Sequence, residues 1–218
     1  MDKLSYFILA ASLILLACKS DTTNGANEEA YKIANGRDTT ITFKNTEAGK
    51  LPEGWSSETS TWSVVNEDEN AALQMNKNGG KDFNIAVLKY HSYNNIELEA
   101  RIKAISGEED QGGGLVWRYM DSQNYYVVRA NPLEHNIRLY KVVNGNRKQM
   151  KSNDITTQTD EWFTIKVKTV NENIECFLNG EKMLTASDET FPGAGLVGFW
   201  SKADAVSIFD DLKIRVLN

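Results

Sequence analysis

The sequence predicts an all-β protein, a two-sheet antiparallel sandwich of the jelly-roll kind. Three observations carry this. After residue 40 helical periodicity is almost absent, while period-two alternation recurs throughout. The alternating runs number about fourteen, too many for one open sheet that neither curls nor splits, so two packed antiparallel sheets are the expected solution. Between the runs stand Asn144-Gly145 and Asn179-Gly180, pairs that supply the positive φ of tight hairpins.

In chain order, residues 1–17 lie outside the predicted fold. Lys3 gives a positive start, and Leu4 to Ala17 is an apolar run short for a bilayer span. Leu15-Leu16-Ala17-Cys18 resembles the lipobox of a bacterial lipoprotein, which makes 1–17 a signal peptide and Cys18 the lipidated residue. Lys19 stands where an aspartate would mark inner-membrane retention, so the expected location is extracytoplasmic and anchored in the outer membrane. Residues 18–38 then form a polar tether that reaches ~25 Å on average, and residues 39–218 form the single β-domain. Cys176 is in phase with Ile174 and Leu178 and reads as a small buried hydrophobe; with Cys18 lipidated, no disulfide can form.

The predicted strands are Thr40–Phe43, Thr61–Val65, Ala72–Met75, Asn84–Leu88, Asn95–Ile105, Gly113–Tyr119, Tyr125–Ala130, Ile137–Val143, Arg147–Lys151, Trp162–Val170, Ile174–Leu178, Lys182–Thr185, Leu196–Trp200 and Val206–Val216. The run from Ile96 to Ala104 alternates most cleanly, with apolar even positions and charged odd ones. Trp55, Trp62, Trp117 and Trp162 are assigned to the core or to strand-end packing.

The most informative block is Gln111 to Tyr140. With its first hairpin centred on Asp121 to Asn124, Met120 faces Tyr125. Leu115, Trp117, Tyr119, Tyr126, Val128 and Ala130 then share one face, joined by Ile137 and Leu139. The other face collects Val116, Arg118, Tyr125, Val127, Arg129, Arg138 and Tyr140. That register leaves Trp117 buried and Arg118 exposed, and makes the second face an arginine-tyrosine recognition surface.

The formal charge of −6 without a basic run argues against nucleic acid and against docking on anionic lipid. His91 and His135 lack ligand-type spacing, which argues against zinc. No cofactor is required. Asp210, beside Asp211, offers oxygen for a structural calcium ion of the kind many jelly-roll modules hold. Gly112-Gly113-Gly114 precedes a strand rather than a helix, so it allows close backbone approach instead of cradling phosphate.

Five ordered motifs carry a family resemblance: Leu51-Pro52-Glu53-Gly54-Trp55, Gly113 to Arg118, Asn124 to Arg129, Gly195 to Trp200 and Phe209-Asp210-Asp211-Leu212. Over residues 40 to 217 the chain resembles the concanavalin A-like lectin/glucanase superfamily, and within it the 3-keto-disaccharide hydrolase-like domain, often described as related to glycoside hydrolase family 16. Family 16 chemistry is not expected. Its Glu-x-Asp-x-x-Glu run has only Glu97-Leu98-Glu99-Ala100-Arg101-Ile102 as a counterpart, without the second matched acid that glycosidases need. The 3-keto resemblance implies something else: a carbonyl that acidifies the neighbouring proton, so that one base and one positive group suffice. It implies Glu134 or His135 as the base and Arg118, Arg129 or Arg138 as the electrostatic partner.

Binding needs less. Tyr125, Tyr140 and Trp200 can offer apolar faces to a pyranose, while Arg118, Arg129, Arg138 and Asn131 hydrogen-bond its hydroxyls. Lys202, in the loop Trp200-Ser201-Lys202-Ala203-Asp204, belongs to the second candidate location. Carbohydrate recognition is thus the leading expectation. A hydrolase of glycosides or 3-keto-disaccharides and a protein-binding adhesive module are the alternatives.

Overall fold

The computed structural model describes residues 38–58, 62–67, 70–76 and 83–218. The expected signal segment, Cys18 and the tether up to residue 37 lie outside the described residues. Among the described residues there are fifteen β-strands, and no helix is long and apolar enough to cross a membrane. One sheet runs β13 (Glu181–Ser187), β12 (Asn173–Leu178), β11 (Trp162–Val170), β6 (Ile96–Ser106), β15 (Val206–Val216), β4 (Asn70–Met75), β3 (Trp62–Glu67), with β1 (Thr39–Ile41) also paired to β15. The other runs β10 (Asn146–Asp154), β9 (Asn136–Val143), β8 (Asn124–Asn131), β7 (Gly113–Asp121), β14 (Gly195–Lys202), β5 (Phe83–Tyr93), β2 (Trp55–Ser57). All pairings are antiparallel. The two-sheet sandwich expected from the alternation is the fold found. Only β2 adds to the expected strands, being too short for a period of two to show.

The alternation of β6 does what it promised. Ile96, Leu98, Ala100, Ile102 and Ala104 are buried, while Glu99 and Glu97 face out and pair with Lys213 (2.9 Å) and Arg215 (3.4 Å). Between the sheets an aromatic column joins Trp55, Phe199, Phe209 and Trp62, with successive ring centroids 5.1, 4.7 and 5.3 Å apart. Each such pair adds about 0.5–1.5 kcal/mol beyond its area burial. Cys176 is buried in the same core, as expected. Trp162 takes the strand-end place also expected for it: it is half-buried at the start of β11, with the Arg101 guanidinium 4.5 Å above its ring.

The β7–β8 hairpin corrects the expected register. At its tip Asp121 pairs with Asn124 as anticipated, but further in Trp117 faces Tyr126 instead of Val128. The slip is by two residues, an even number, so Leu115, Trp117, Tyr126, Val128 and Ala130 keep their place in the core. The residues taken up in the bulge do not. Arg118 adopts φ 46°, an unusual conformation for a bulky side chain, and turns into the protein. Its guanidinium donates to the carbonyls of Phe191 (2.8 Å) and Asn171 (2.5 Å). Tyr119 moves to the opposite face, where it stacks on Tyr125 at 5.7 Å.

Gly195 makes the bulge possible, since a Cβ there would stand 2.4 Å from the Arg118 carbonyl carbon. The loop receiving Arg118 is tied down as well: the Tyr126 hydroxyl (2.7 Å) and the Lys141 ammonium (2.5 Å) both donate to Asp188. Arg118 is therefore an internal strut, 1% exposed, and not a member of the outer face. Trp117→Ala should lower unfolding free energy by ~3–5 kcal/mol as a large-to-small core change. Arg118→Ala should cost ~1.5–3 kcal/mol, as charged hydrogen bonds do. Urea denaturation measures both, and an unchanged midpoint for Arg118→Ala would contradict the strut.

Candidate functional site

The face of the second sheet turned away from the core is set by cross-strand pairs. Across β8 and β9, Tyr125 faces Val142, Val127 faces Tyr140, Arg129 faces Arg138 and Asn131 faces Asn136. Across β7 and β14 the rows continue through Gly114, next to Arg129, to Trp200. The expected set of Tyr125, Val127, Arg129, Arg138 and Tyr140 is thus on one face. It is not an open platform, however. Tyr125, Val127 and Trp200 have no exposed surface, and with Ile85, Val87, Val116, Tyr119, Tyr140 and Val142 they form a second apolar cluster.

Curvature explains the burial. Arg147 on β10 has its guanidinium carbon 4.6 Å from the Tyr140 ring, 5.2 Å from Phe83 and 5.8 Å from Trp200. In a flat sheet β10 and β5, five strand spacings apart, would be ~24 Å from each other. The sheet therefore curls, the face is concave, and Arg147 lies across it.

At one end the concave face becomes polar. Glu134 Oε2 accepts hydrogen bonds from Arg129 Nη2 (2.7 Å) and Arg138 Nη1 (2.8 Å). Arg129 also donates to Asn136 Oδ1 at 2.8 Å and is itself buried. Asn131 Oδ1 accepts the Glu134 backbone N–H and so shapes the turn that presents this carboxylate. His135 sits exposed at the tip of that turn, with φ 53°.

Asp110, which the sequence did not single out, lies buried beside them. Its Oδ1 accepts from Gly112 N (2.6 Å) and Asn131 Nδ2 (3.1 Å), and its Oδ2 lies 3.9 Å from Lys202 Nζ. Asp204 holds the loop in place by accepting the backbone N–H groups of Glu108, Glu109 and Asp110 (2.7, 3.0 and 3.2 Å). The two candidate locations are therefore one site, because Lys202 and the Asp204 loop close onto the arginine end. The glycine run serves close approach, as expected: a Cβ on Gly112 would stand 2.7 Å from Asp110 Oδ1, and one on Gly114 2.2 Å from the Val128 oxygen.

The two carboxylates are driven apart in acidity. Burial pushes the Asp110 pKa up, against the opposing charges of Arg129 and Lys202 and the Gly112 N–H. Burial also works against ionised Glu134, but the Arg129 hydrogen bond and charge, with Asn136 and Arg138, hold its pKa below the usual range. Glu134 is thus a fixed anion and the weaker base, and Asp110 is the better-placed proton acceptor.

Asp210, the expected calcium ligand, is buried at the far side of the sandwich. Its Oδ1 has no hydrogen-bond partner, and burial raises its pKa. Among the described residues no group of three or more His, Cys, Asp or Glu side chains could hold a metal ion.

The Asp110 shift makes a prediction. Because its folded pKa lies above its unfolded one, stability is greatest below the unfolded value and falls as pH rises through the folded one. Asp110→Asn keeps the Oδ1 acceptor and removes the buried charge. It should melt above the wild type at pH 7, with the advantage gone below about pH 4. Melting curves across that range test it, and a wild type more stable at pH 7 would mean that Arg129 and Lys202 outweigh burial.

Comparison with known proteins fits this architecture. Several solved structures share the fold. A carbohydrate-binding module, CBM66, from Bacillus subtilis superposes with a TM-score of 0.65 at 18% identity, over 74% of this chain and 95% of that one. The Bacillus licheniformis β-glucanase gives 0.59 at 10% identity, over 84% and 100%. A Bacillus subtilis protein with a galectin-like fold gives 0.56 at 11%, over 74% and 88%. No curated protein sequence matches the chain. The model of the 3-keto-alpha-glucoside-1,2-lyase-like domain matches residues 32–215, and the chain belongs to that family.

Proposed function

We propose that the polar end of the concave face binds carbohydrate. The observation that carries the reading is the convergence of Arg129, Arg138, Asn131 and Lys202 with Asp110 and Glu134, next to Tyr140 and Trp200. Such a mixture of fixed donors and acceptors suits the hydroxyls of a pyranose. The carbohydrate-binding and glucanase folds that superpose on the chain support it. A glycan array identifies the ligand. Calorimetry with an array hit should then show Arg138→Ala weakened by ~1.5–3 kcal/mol, the cost of losing hydrogen bonds to a charged group. Equal affinity of the variant would move the site elsewhere. An array without hits would favour the protein-binding alternative.

The family favours a second reading, elimination from a 3-keto glucoside, in place of hydrolysis. The C3 carbonyl acidifies the C2 proton. A base removes it, and the electrons pass through an enolate whose oxygen needs a positive neighbour. The C1–O bond then breaks as a C1=C2 double bond forms, and the departing alcohol oxygen takes up a proton. Arg129 and Arg138 would stabilise the enolate oxygen, and Asp110 suits the base better than Glu134, with His135 as the exposed candidate. Loss of unsaturated product in Asp110→Asn with binding retained would support this reading, and undiminished product would remove Asp110 from it.

We further propose that the protein is a lipoprotein anchored through Cys18 in the outer membrane, on the strength of the Leu15-Leu16-Ala17-Cys18 run. Cys18→Ala should shift it from the detergent phase to the aqueous phase, and unchanged partitioning would refute the anchor. Asp210 is the residue that would hold a structural calcium ion, through its buried Oδ1. Calcium there would stabilise the sandwich and take no part in sugar chemistry.

A further inference from the structure

Three guanidinium groups meet around the Tyr140 ring. Those of Arg147 and Arg129 lie 4.6 and 6.0 Å from its centroid, and Arg138 lies beside its hydroxyl. Glu134 serves two of them, Arg129 and Arg138, with a single oxygen. Among the described residues no carboxylate pairs with Arg147, whose guanidinium lies against the rings of Tyr140, Phe83 and Trp200. With Lys202 the site holds four cations against three carboxylates, Asp110, Glu134 and the Asp204 that caps the Asp110 loop, in a chain whose formal charge is −6. The imbalance is local and opposite to that of the whole protein.

Each of the three arginines also keeps one N–H shielded from solvent without an acceptor: Arg129 Nε, Arg138 Nε and Arg147 Nη1. Buried charged donors of this kind are costly unless something supplies oxygen. Arg138 and Arg147 are only part-buried, so their other N–H groups can meet a ligand, and a sugar hydroxyl could accept from one of those but would leave the charge in place. A carboxylate or sulfate accepts several at once, in the planar geometry a guanidinium presents, and neutralises the excess. The box of Tyr140, Phe83 and Trp200 holds the Arg147 guanidinium ready.

We infer that Arg147 and Arg138, both set against Tyr140, form a subsite for an oxyanion carried by the sugar, so that the ligand is an acidic glycan bearing a uronate carboxylate or a sulfate ester. This rests on the carbohydrate reading of the concave face.

The test uses an array of neutral, uronate-bearing and sulfated glycans, with carboxyl-reduced and desulfated forms of every acidic hit. Acidic glycans should dominate the hits, and removing the anionic group should abolish them; which treatment does so separates uronate from sulfate. Arg147→Met, which keeps the aliphatic reach, should weaken an acidic hit by at least about tenfold and flatten its dependence on sodium chloride. Arg147→Lys should keep the salt dependence but lose affinity, because an ammonium cannot grip a planar oxyanion at two points, and an unweakened Arg147→Lys overturns the inference if Arg147→Met does not fold. Neutral forms binding as well as acidic ones, or Arg147→Met binding like the wild type, would overturn the inference while leaving the carbohydrate reading intact. An array without any hit would overturn both.

Discussion

The second sheet is apolar on both faces, and the rest of the molecule answers to the need to cover the outer one. Its inner face meets the first sheet through Leu115, Trp117, Tyr126 and Val128. Its outer face carries Val116, Tyr125, Val127 and Trp200, all without exposed surface. A flat sheet would leave those side chains in water, at a cost of roughly 1.5–3 kcal/mol for each large one. Curling the sheet brings its distant strands together over the apolar row, and Arg147 spans the remaining gap between Tyr140, Phe83 and Trp200. The bulge at Arg118 belongs to the same solution, since bulges bend a strand and increase its twist. It also delivers Tyr119 to the outer cluster and Arg118 to the interior, where two carbonyls await it.

Curling creates the site as a by-product. Where the apolar row ends, the concavity continues with Arg129, Arg138, Asn131 and Asn136, walled by loops. These loops are not left to themselves: Asp204 fixes three successive N–H groups, and Asn131 fixes the turn of Glu134. Groups held in this way pay little ordering entropy when a ligand arrives, which is how a preorganised site gains affinity.

Much of this was legible in the sequence. The strands, the Asn-Gly turns, the inward positions of β6 and the shared face of Arg129, Arg138 and Tyr140 follow from alternation and turn chemistry alone. The Arg118 bulge was not legible, because its causes are distant in the chain: Gly195 makes the room, and Phe191 and Asn171 supply the acceptors. Asp110 was hidden for the same reason. Its partners come from Asn131 and Lys202, and its loop is held by Asp204. Arg147 could have been found. The Asn144-Gly145 turn places it opposite Val142, in phase with Tyr140, and only its reach across the curled sheet required the structure.

The pair of carboxylates then decides what chemistry the site can support. Glu134 is committed to two arginines, and protonating it would leave both guanidiniums without their anion. It holds the cations in place and is poorly suited to carry a proton. Asp110 is buried, with hydrogen bonds that fix its position and a pKa moved toward the range where a carboxylate accepts protons effectively. A ligand that brought its own anion to Arg147 and Arg138 would relieve the local excess of positive charge and, with it, part of the attraction that keeps Asp110 ionised. Its proton affinity would rise with the ligand bound. Binding an acidic sugar and tuning a base would then be one electrostatic event, so recognition and elimination draw on the same arrangement of charges.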